Sequence, residues 1–217
     1  PVLHSTLREL SVPEPVRQRL HRLLLGAVAS SEVFREVSQA GAAFPSVVEI
    51  LRLSEPLGEL LVRHPERVAQ LERWQEEKGK GAPPAQLPMA ASWLAPGAAP
   101  ASLGLEPAPL AERMALLRRW FRDRVFEWGR ERLQGSQGMA AGLRAYTARA
   151  EEVLAAAVEM AGEETGGGKL RWAVVGLGRL GTGEMDLGSD ADLVFLAADP
   201  ETQARARPVA EKLLHIL

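Results

Sequence analysis

Apolar residues recur at three- and four-residue steps over most of the chain before Gly166, a spacing that predicts amphipathic helices. Prolines divide residues 13–77 into several short helices, so region 1–77 is predicted to be a compact helical bundle. Ser54 is predicted to cap the helix that begins with Glu55. The apolar positions expected to face the core are Leu20, Leu23, Leu24, Val28, Val47, Val48, Ile50, Leu51, Leu53, Leu57, Leu60, Leu61, Val62, Val68, Leu71 and Trp74.

Residues 78–109 differ from the rest because they are rich in proline, alanine and glycine, and we predict a linker there. Residues 110–168 predict two long helices separated at residues 135–138. The first runs from residue 110 to about residue 133. The apolar stripes of the two helices are Met114, Leu117, Phe121, Val125 and Trp128, followed by Leu143, Tyr146, Ala150, Val153, Leu154 and Val158.

Strand candidates appear only after the glycines at 166–168, at residues 170–175 and 193–198. A last helix is predicted for residues 201–217. The chain is therefore predicted to be α+β, with a mostly helical N-terminal region followed by part of a sheet domain at 169–217.

Composition excludes several classes of function. The formal net charge of −2 and the pI near 6.2 argue against a dedicated nucleic-acid binder. The chain has no cysteine, which excludes disulfides and thiolate zinc sites and fits a reducing cytoplasm. No apolar run approaches the roughly 20 residues of a membrane span, and the first residues lack a signal-peptide pattern. We therefore expect a cytoplasmic protein without nucleic-acid or membrane partners.

Candidate chemistry is concentrated in residues 172–196. Gly176, Gly178 and Gly181 follow the first strand candidate. Residues 189–192, with Asp190 and Asp192, are predicted to open the second strand just before its apolar run. Residues two apart in a strand point to the same face. Two carboxylates on one face, beside a glycine-rich backbone cradle, form a plausible seat for Mg²⁺ and a nucleoside triphosphate.

The same glycines also match G-x-G-x-x-G, the fingerprint of a dinucleotide-binding Rossmann domain, and Asp199 lies near the position of a ribose-binding acid. A Rossmann unit needs an amphipathic crossover helix directly after the glycines. The short, glycine-rich connection from Gly181 to Asp190 leaves no room for one. An NAD-binding oxidoreductase is therefore the weaker alternative.

A longer pattern around these residues resembles the signature of the glutamine synthetase adenylyltransferase/adenylyl-removing enzymes, in the polymerase β-like nucleotidyltransferase superfamily. The segments 54–66 and 117–124 are also similar to that family, more loosely, and the chain resembles the N-terminal portion of such an enzyme. The residues that carry the signature are Gly176, Gly178, Arg179, Leu180, Gly181, Glu184, Met185, Ser189, Asp190, Asp192, Leu193, Val194 and Phe195.

The resemblance implies a partial nucleotidyltransferase sheet and a reaction on a tyrosine of glutamine synthetase, with the adenylyl-removing direction favoured. It implies Mg²⁺ or Mn²⁺ as the metal, ATP or ADP as substrate or product, and the PII signal protein as a further partner. Asp190 and Asp192 would be the catalytic metal ligands.

In the same resemblance, Gly176, Gly178 and Gly181 would contact phosphate through the backbone. Arg179 would clamp phosphate, and Ser189 would bind phosphate or cap the turn. Glu184 is expected to be structural.

The superfamily uses a third carboxylate, for which Asp199 and Glu201 come too early in the chain. A non-catalytic relative that acts as a protein-binding or regulatory module is the alternative from a different class.

Overall fold

The computed structural model describes residues 12–71, 108–133, 138–166 and 170–217. The chain divides into two compact units, Pro1–Met89 and Ala90–Leu217. The described residues are mostly helical, with one two-stranded sheet in the second unit, in agreement with the predicted α+β class. Residues 78–107 of the predicted linker and Trp74 lie outside the described residues. None of the described helices is both long and apolar enough to cross a membrane.

The first unit is a set of short helices whose ends follow local sequence signals. Its elements are α1 (Glu14–Val28), α2 (Ser31–Gln39), a 3₁₀ turn (Gly41–Ala43), α3 (Phe44–Leu53) and α4 (Glu55–Arg63). Residues 67–71 are also helical. The Ser54 hydroxyl accepts a hydrogen bond from the Leu57 N–H, so the predicted cap of α4 is confirmed.

Most of the predicted core positions of this unit are buried, Leu24 and Leu60 are half-buried, and two are exposed. Val28 is 61% exposed and Leu53 is 52% exposed, so the prediction that they face the core was wrong. Each is the last residue of its helix, and the buried contacts of that last turn are made by Ala27 and Leu51 instead. The buried apolar residues here include Leu20, Leu23, Val47, Ile50, Leu51, Leu57, Leu61, Val68 and Leu71.

The second unit contains two long helices, a strand hairpin and a final helix. The elements are α5 (Leu110–Leu133), α6 (Met139–Thr165), β1 (Trp172–Gly176), α7 (Gly178–Thr182), β2 (Leu193–Ala197) and α8 (Pro200–Ile216). Gly166 ends α6 in the left-handed conformation, with φ of 63°, as its sequence position predicts.

The two strands are antiparallel, with Trp172 opposite Ala197 and Gly176 opposite Leu193. Because a Rossmann unit joins parallel strands through a helix, this pairing excludes the dinucleotide-binding alternative for these strands. The second strand begins at Leu193, so the prediction that residues 189–192 open it was wrong. The reason is that the chain turns into α7 at Gly178, so the pairing ends with the hydrogen bond from the Leu177 N–H to the Asp192 carbonyl.

One face of the hairpin packs on helices, and the other is exposed. Trp172, Val174 and Phe195 pack against the core that α5, α6 and α8 form around Met160 and Leu213. The Trp172 and Phe195 rings stack, with centroids 6.1 Å apart. A second core, made of Trp128, Tyr146, Ala150, Leu180 and Met185, lies under the glycine motif. Regions 110–168 and 169–217 therefore share their cores.

Candidate active site

The glycines of the motif allow a short helix to pack directly on the end of a strand. Gly176 is the last residue of β1, and Gly178 begins α7 with φ of 54°. A Cβ on Gly181 would lie 2.5 Å from the Gly176 carbonyl oxygen, and a Cβ on Gly176 would lie 2.7 Å from Leu180 Cγ. The Gly181 N–H donates to the Leu177 carbonyl at 3.1 Å. The three glycines predicted to contact phosphate thus form one tight strand-to-helix turn.

Asp192 lies directly beside this turn. The Leu177 N–H donates to the Asp192 carbonyl at 2.9 Å, and a Cβ on Gly178 would lie 3.5 Å from Asp192 Oδ2. Asp190 is exposed in the same loop, two residues earlier. Within the described part of the chain, neither aspartate side chain has a hydrogen bond or an ion pair. Both carboxylates are therefore free to bind a cation.

The chemistry of this donor set fits Mg²⁺. Magnesium prefers oxygen ligands and is commonly held by one or two carboxylates together with substrate phosphates and water. Over residues 12–71, 108–133, 138–166 and 170–217, no group of three or more His, Cys, Asp or Glu side chains is placed to hold a metal. Asp199 caps α8 by accepting the Thr202 N–H at 2.7 Å, and this contact lowers its pKa. The Asp199 carboxylate therefore serves as the N-terminal cap of α8.

Arg179 and Ser189 meet at a third aspartate, Asp186. The Arg179 guanidinium donates to Asp186 Oδ1 at 2.8 Å and lies 3.5 Å from the Ser189 hydroxyl. The Ser189 hydroxyl donates to the same Asp186 oxygen at 2.6 Å. The structure therefore joins the candidate phosphate clamp to the residue that immediately precedes Asp190.

The charge of Asp186 affects its surroundings. The Ser189 hydrogen bond is the main cause of the lowered pKa of the Asp186 carboxyl; burial opposes it, and the positive charge of Arg179 lowers the pKa further. Burial raises the pKa of the Tyr146 hydroxyl, and the negative charge of Asp186 raises it further. The Asp186 carboxyl, with its lowered pKa, is therefore ionised at neutral pH.

The loop that carries Asp186 is fixed to α6 and to α7. The buried Thr147 hydroxyl accepts the Met185 N–H at 3.0 Å and donates to the Leu143 carbonyl at 2.9 Å. The Glu184 N–H donates to the Arg179 carbonyl at 2.8 Å. The Glu184 side chain accepts the Thr182 hydroxyl at 3.3 Å, which agrees with the structural role expected for it.

Sequence reasoning missed Asp186 and Thr147. The pair Asp186 and Ser189 around Gly188, whose φ is 85°, has the spacing of a side-chain-stabilised turn, and that pattern was a usable signal. Thr147 carried no such sequence signal, because a threonine beside Tyr146 on an apolar helix face cannot be distinguished in sequence from a packing residue.

The comparison with protein families bears on the whole of this site. A family model described as glutamate-ammonia ligase adenylyltransferase matches residues 44–213, well over half of the chain. The chain belongs to the glutamate-ammonia ligase adenylyltransferase family. Glutamate-ammonia ligase is glutamine synthetase, so the resemblance expected from the signature is confirmed. A search of curated proteins gives no match.

Membership of the glutamate-ammonia ligase adenylyltransferase family implies a nucleotidyltransferase enzyme. The matched range includes α3 and α4 of the first unit and extends through most of α8 in the second. It also contains the glycine turn, Arg179, Asp186 and the two free carboxylates. The family assignment and the site geometry therefore concern the same residues.

Proposed function

We propose that the chain is a Mg²⁺-dependent nucleotidyltransferase that acts on a tyrosine of glutamine synthetase. The observation that carries the proposal is the position of the Asp192 carboxylate against Gly178, where a side chain would contact Oδ2 at 3.5 Å. This places a free carboxylate beside a backbone that carries no side chain. A phosphate and its cation need that combination of features.

Each residue has a part in this proposal. Asp190 and Asp192 would hold the metal, which when bound neutralises phosphate charge. Gly178 would leave space for phosphate oxygens to approach the backbone beside Asp192. Gly176 and Gly181 support this turn by packing against Leu180 and against each other, and their own phosphate contacts stay predictions. Arg179 adds a positive charge beside them, which stabilises the charge on phosphate oxygens during in-line attack.

Two reactions are compatible with this site. In adenylylation, a tyrosine oxygen attacks the α-phosphorus of ATP and pyrophosphate leaves. In removal, an oxygen of inorganic phosphate attacks the phosphorus of the AMP–tyrosine bond, which yields ADP and free tyrosine. We propose the removal reaction as the main one, from the resemblance. The PII signal protein as a partner, Mn²⁺ as an alternative metal and a cytoplasmic location remain predictions from the sequence.

Labelled substrates test the proposal. The chain is incubated with glutamine synthetase and α-labelled ATP, and separately with labelled adenylyl-glutamine synthetase and phosphate, in the presence of Mg²⁺. We expect labelled ADP in the second reaction and none with the Asp190→Asn/Asp192→Asn variant. A folded wild-type chain that gives neither product would contradict an enzymatic role.

A second candidate function is a module that binds or regulates glutamine synthetase without turnover. It is favoured by the presence of two, rather than three, candidate metal-ligating carboxylates among the described residues. Binding of glutamine synthetase that is unaffected by the Asp190→Asn/Asp192→Asn change, with no labelled product, would support this candidate against the enzyme.

A further inference from the structure

We propose that Asp186 is a positioning residue of this site, which holds the Arg179 guanidinium beside Ser189 and moderates the charge that Arg179 presents to phosphate. The inference rests on the proposed function. It adds a residue that the nucleotidyltransferase pattern did not include. Asp186 itself is not expected to touch the reacting atoms.

The first step is the sharing of one oxygen atom. Asp186 Oδ1 accepts from Arg179 Nη1 at 2.8 Å and from the Ser189 hydroxyl at 2.6 Å. Arg179 belongs to α7, in the glycine turn, and Ser189 precedes Asp190. One carboxylate oxygen therefore ties the predicted phosphate-binding turn to the loop that carries the metal ligands.

The second step is that Asp186 is itself firmly held. Its N–H donates to the Ser189 hydroxyl at 3.0 Å, and the Ser189 N–H donates to its carbonyl at 3.1 Å. The preceding residue, Met185, is buried and hydrogen-bonded to Thr147. A long arginine side chain, 61% exposed, is thus anchored on a fixed acceptor, which keeps its guanidinium in one orientation.

The third step is a consequence of the charges. The Asp186 carboxylate partly neutralises the Arg179 guanidinium, so Arg179 presents less positive charge to an approaching phosphate. Removing this charge should strengthen nucleotide binding. It should also slow the reaction, because a neutral acceptor holds Arg179 in one orientation less firmly than the charged carboxylate does. A purely structural role would weaken binding and turnover together, so the opposite signs are diagnostic.

The test uses Asp186→Asn, which keeps the shape of the side chain. We expect the Kd of ATP in the presence of Mg²⁺, measured by calorimetry, to fall about two- to fivefold, the range of an exposed ion pair. The single-turnover rate constant for removal of labelled AMP from glutamine synthetase should fall. Both effects should disappear in an Arg179→Gln background. Glu211→Gln, which removes a charge from the exposed Arg207–Glu211 pair on α8, serves as the matched control and should change neither quantity.

Three outcomes overturn the inference. The first is a rise in Kd together with a fall in rate for Asp186→Asn, as expected for a structural defect. The second is a change in Kd and in rate constant on Asp186→Asn that has the same size in the wild-type and the Arg179→Gln backgrounds. In both cases ATP binding still depends on Asp190 and Asp192, so the proposed function survives. The third is a wild-type chain that binds no ATP, and this outcome contradicts the proposed function as well.

Discussion

Replacing Gly181 with alanine should destabilise the second unit, because the new methyl group would meet the backbone. The Cβ would lie 2.5 Å from the Gly176 carbonyl oxygen and 3.2 Å from its carbon. Favourable contacts of a carbon atom begin at roughly 3.5 Å, so α7 must move by several tenths of an ångström or more. Gly176 cannot move freely, since β1 is paired with β2 along its length.

The magnitude follows from two opposing effects. Overpacking of this kind costs about 1–3 kcal/mol. The better helix propensity of alanine offsets at most about 1 kcal/mol of that cost. We therefore expect Gly181→Ala to lower the free energy of unfolding of the second unit by about 1–2 kcal/mol.

Gly162→Ala is the matched control, because Gly162 is also helical and a Cβ there would meet nothing within 4 Å. It should be neutral or stabilising by about 0.5 kcal/mol. Urea unfolding followed by tryptophan fluorescence measures the free energy of unfolding of both variants, since Trp172 lies on β1 and stacks on Phe195. A Gly181→Ala variant as stable as the Gly162→Ala variant would refute the close packing of α7 on β1.

Three further predictions concern hydrogen bonds. Thr147→Val should cost about 1–3 kcal/mol in urea unfolding, because it leaves the buried Met185 N–H without its acceptor, whereas Thr147→Ser should retain most of the stability. Ser54→Ala should cost about 0.5–1 kcal/mol through loss of the cap of α4, and an equal stability would contradict the cap. Ser189→Ala should raise the pKa of the Asp186 carboxyl towards its ordinary value, as measured by NMR titration. Since a depressed pKa stabilises the folded state above about pH 4 and this contribution is lost as the pH falls further, the variant should lose less stability in acid than the wild type.

Local signals were sufficient to predict several helix boundaries, but they did not predict α2 or α7. Ser54 and Gly166 act within one helical turn of their own positions, so their roles as cap and terminator are legible in the sequence. Val28 and Leu53 fit the apolar spacing of their helices, yet their side chains are exposed. Periodicity indicates the face of a helix, but it does not indicate how far along the helix its neighbours extend.

The sequence supplied the candidate site residues, which stay predictions, but it did not supply the contacts among them. The glycine turn and Asp192 are adjacent, as the signature implies. The start of β2 depends on where β1 ends, because the last residue of β1, Gly176, pairs with Leu193. The residues around Asp190 do not encode this pairing. The partner of Arg179 was missed for a similar reason, because Asp186 is brought to it by the turn that Ser189 closes.

Calorimetric titration of ATP, with Mg²⁺ and with EDTA, tests the central claim most directly. We predict binding to the wild-type chain in the presence of Mg²⁺, and loss of that binding in EDTA and in the Asp190→Asn/Asp192→Asn variant. Glu211→Gln should bind as the wild type does. ATP binding of equal strength without Mg²⁺ or without the two carboxylates would contradict a metal–nucleotide site at this turn.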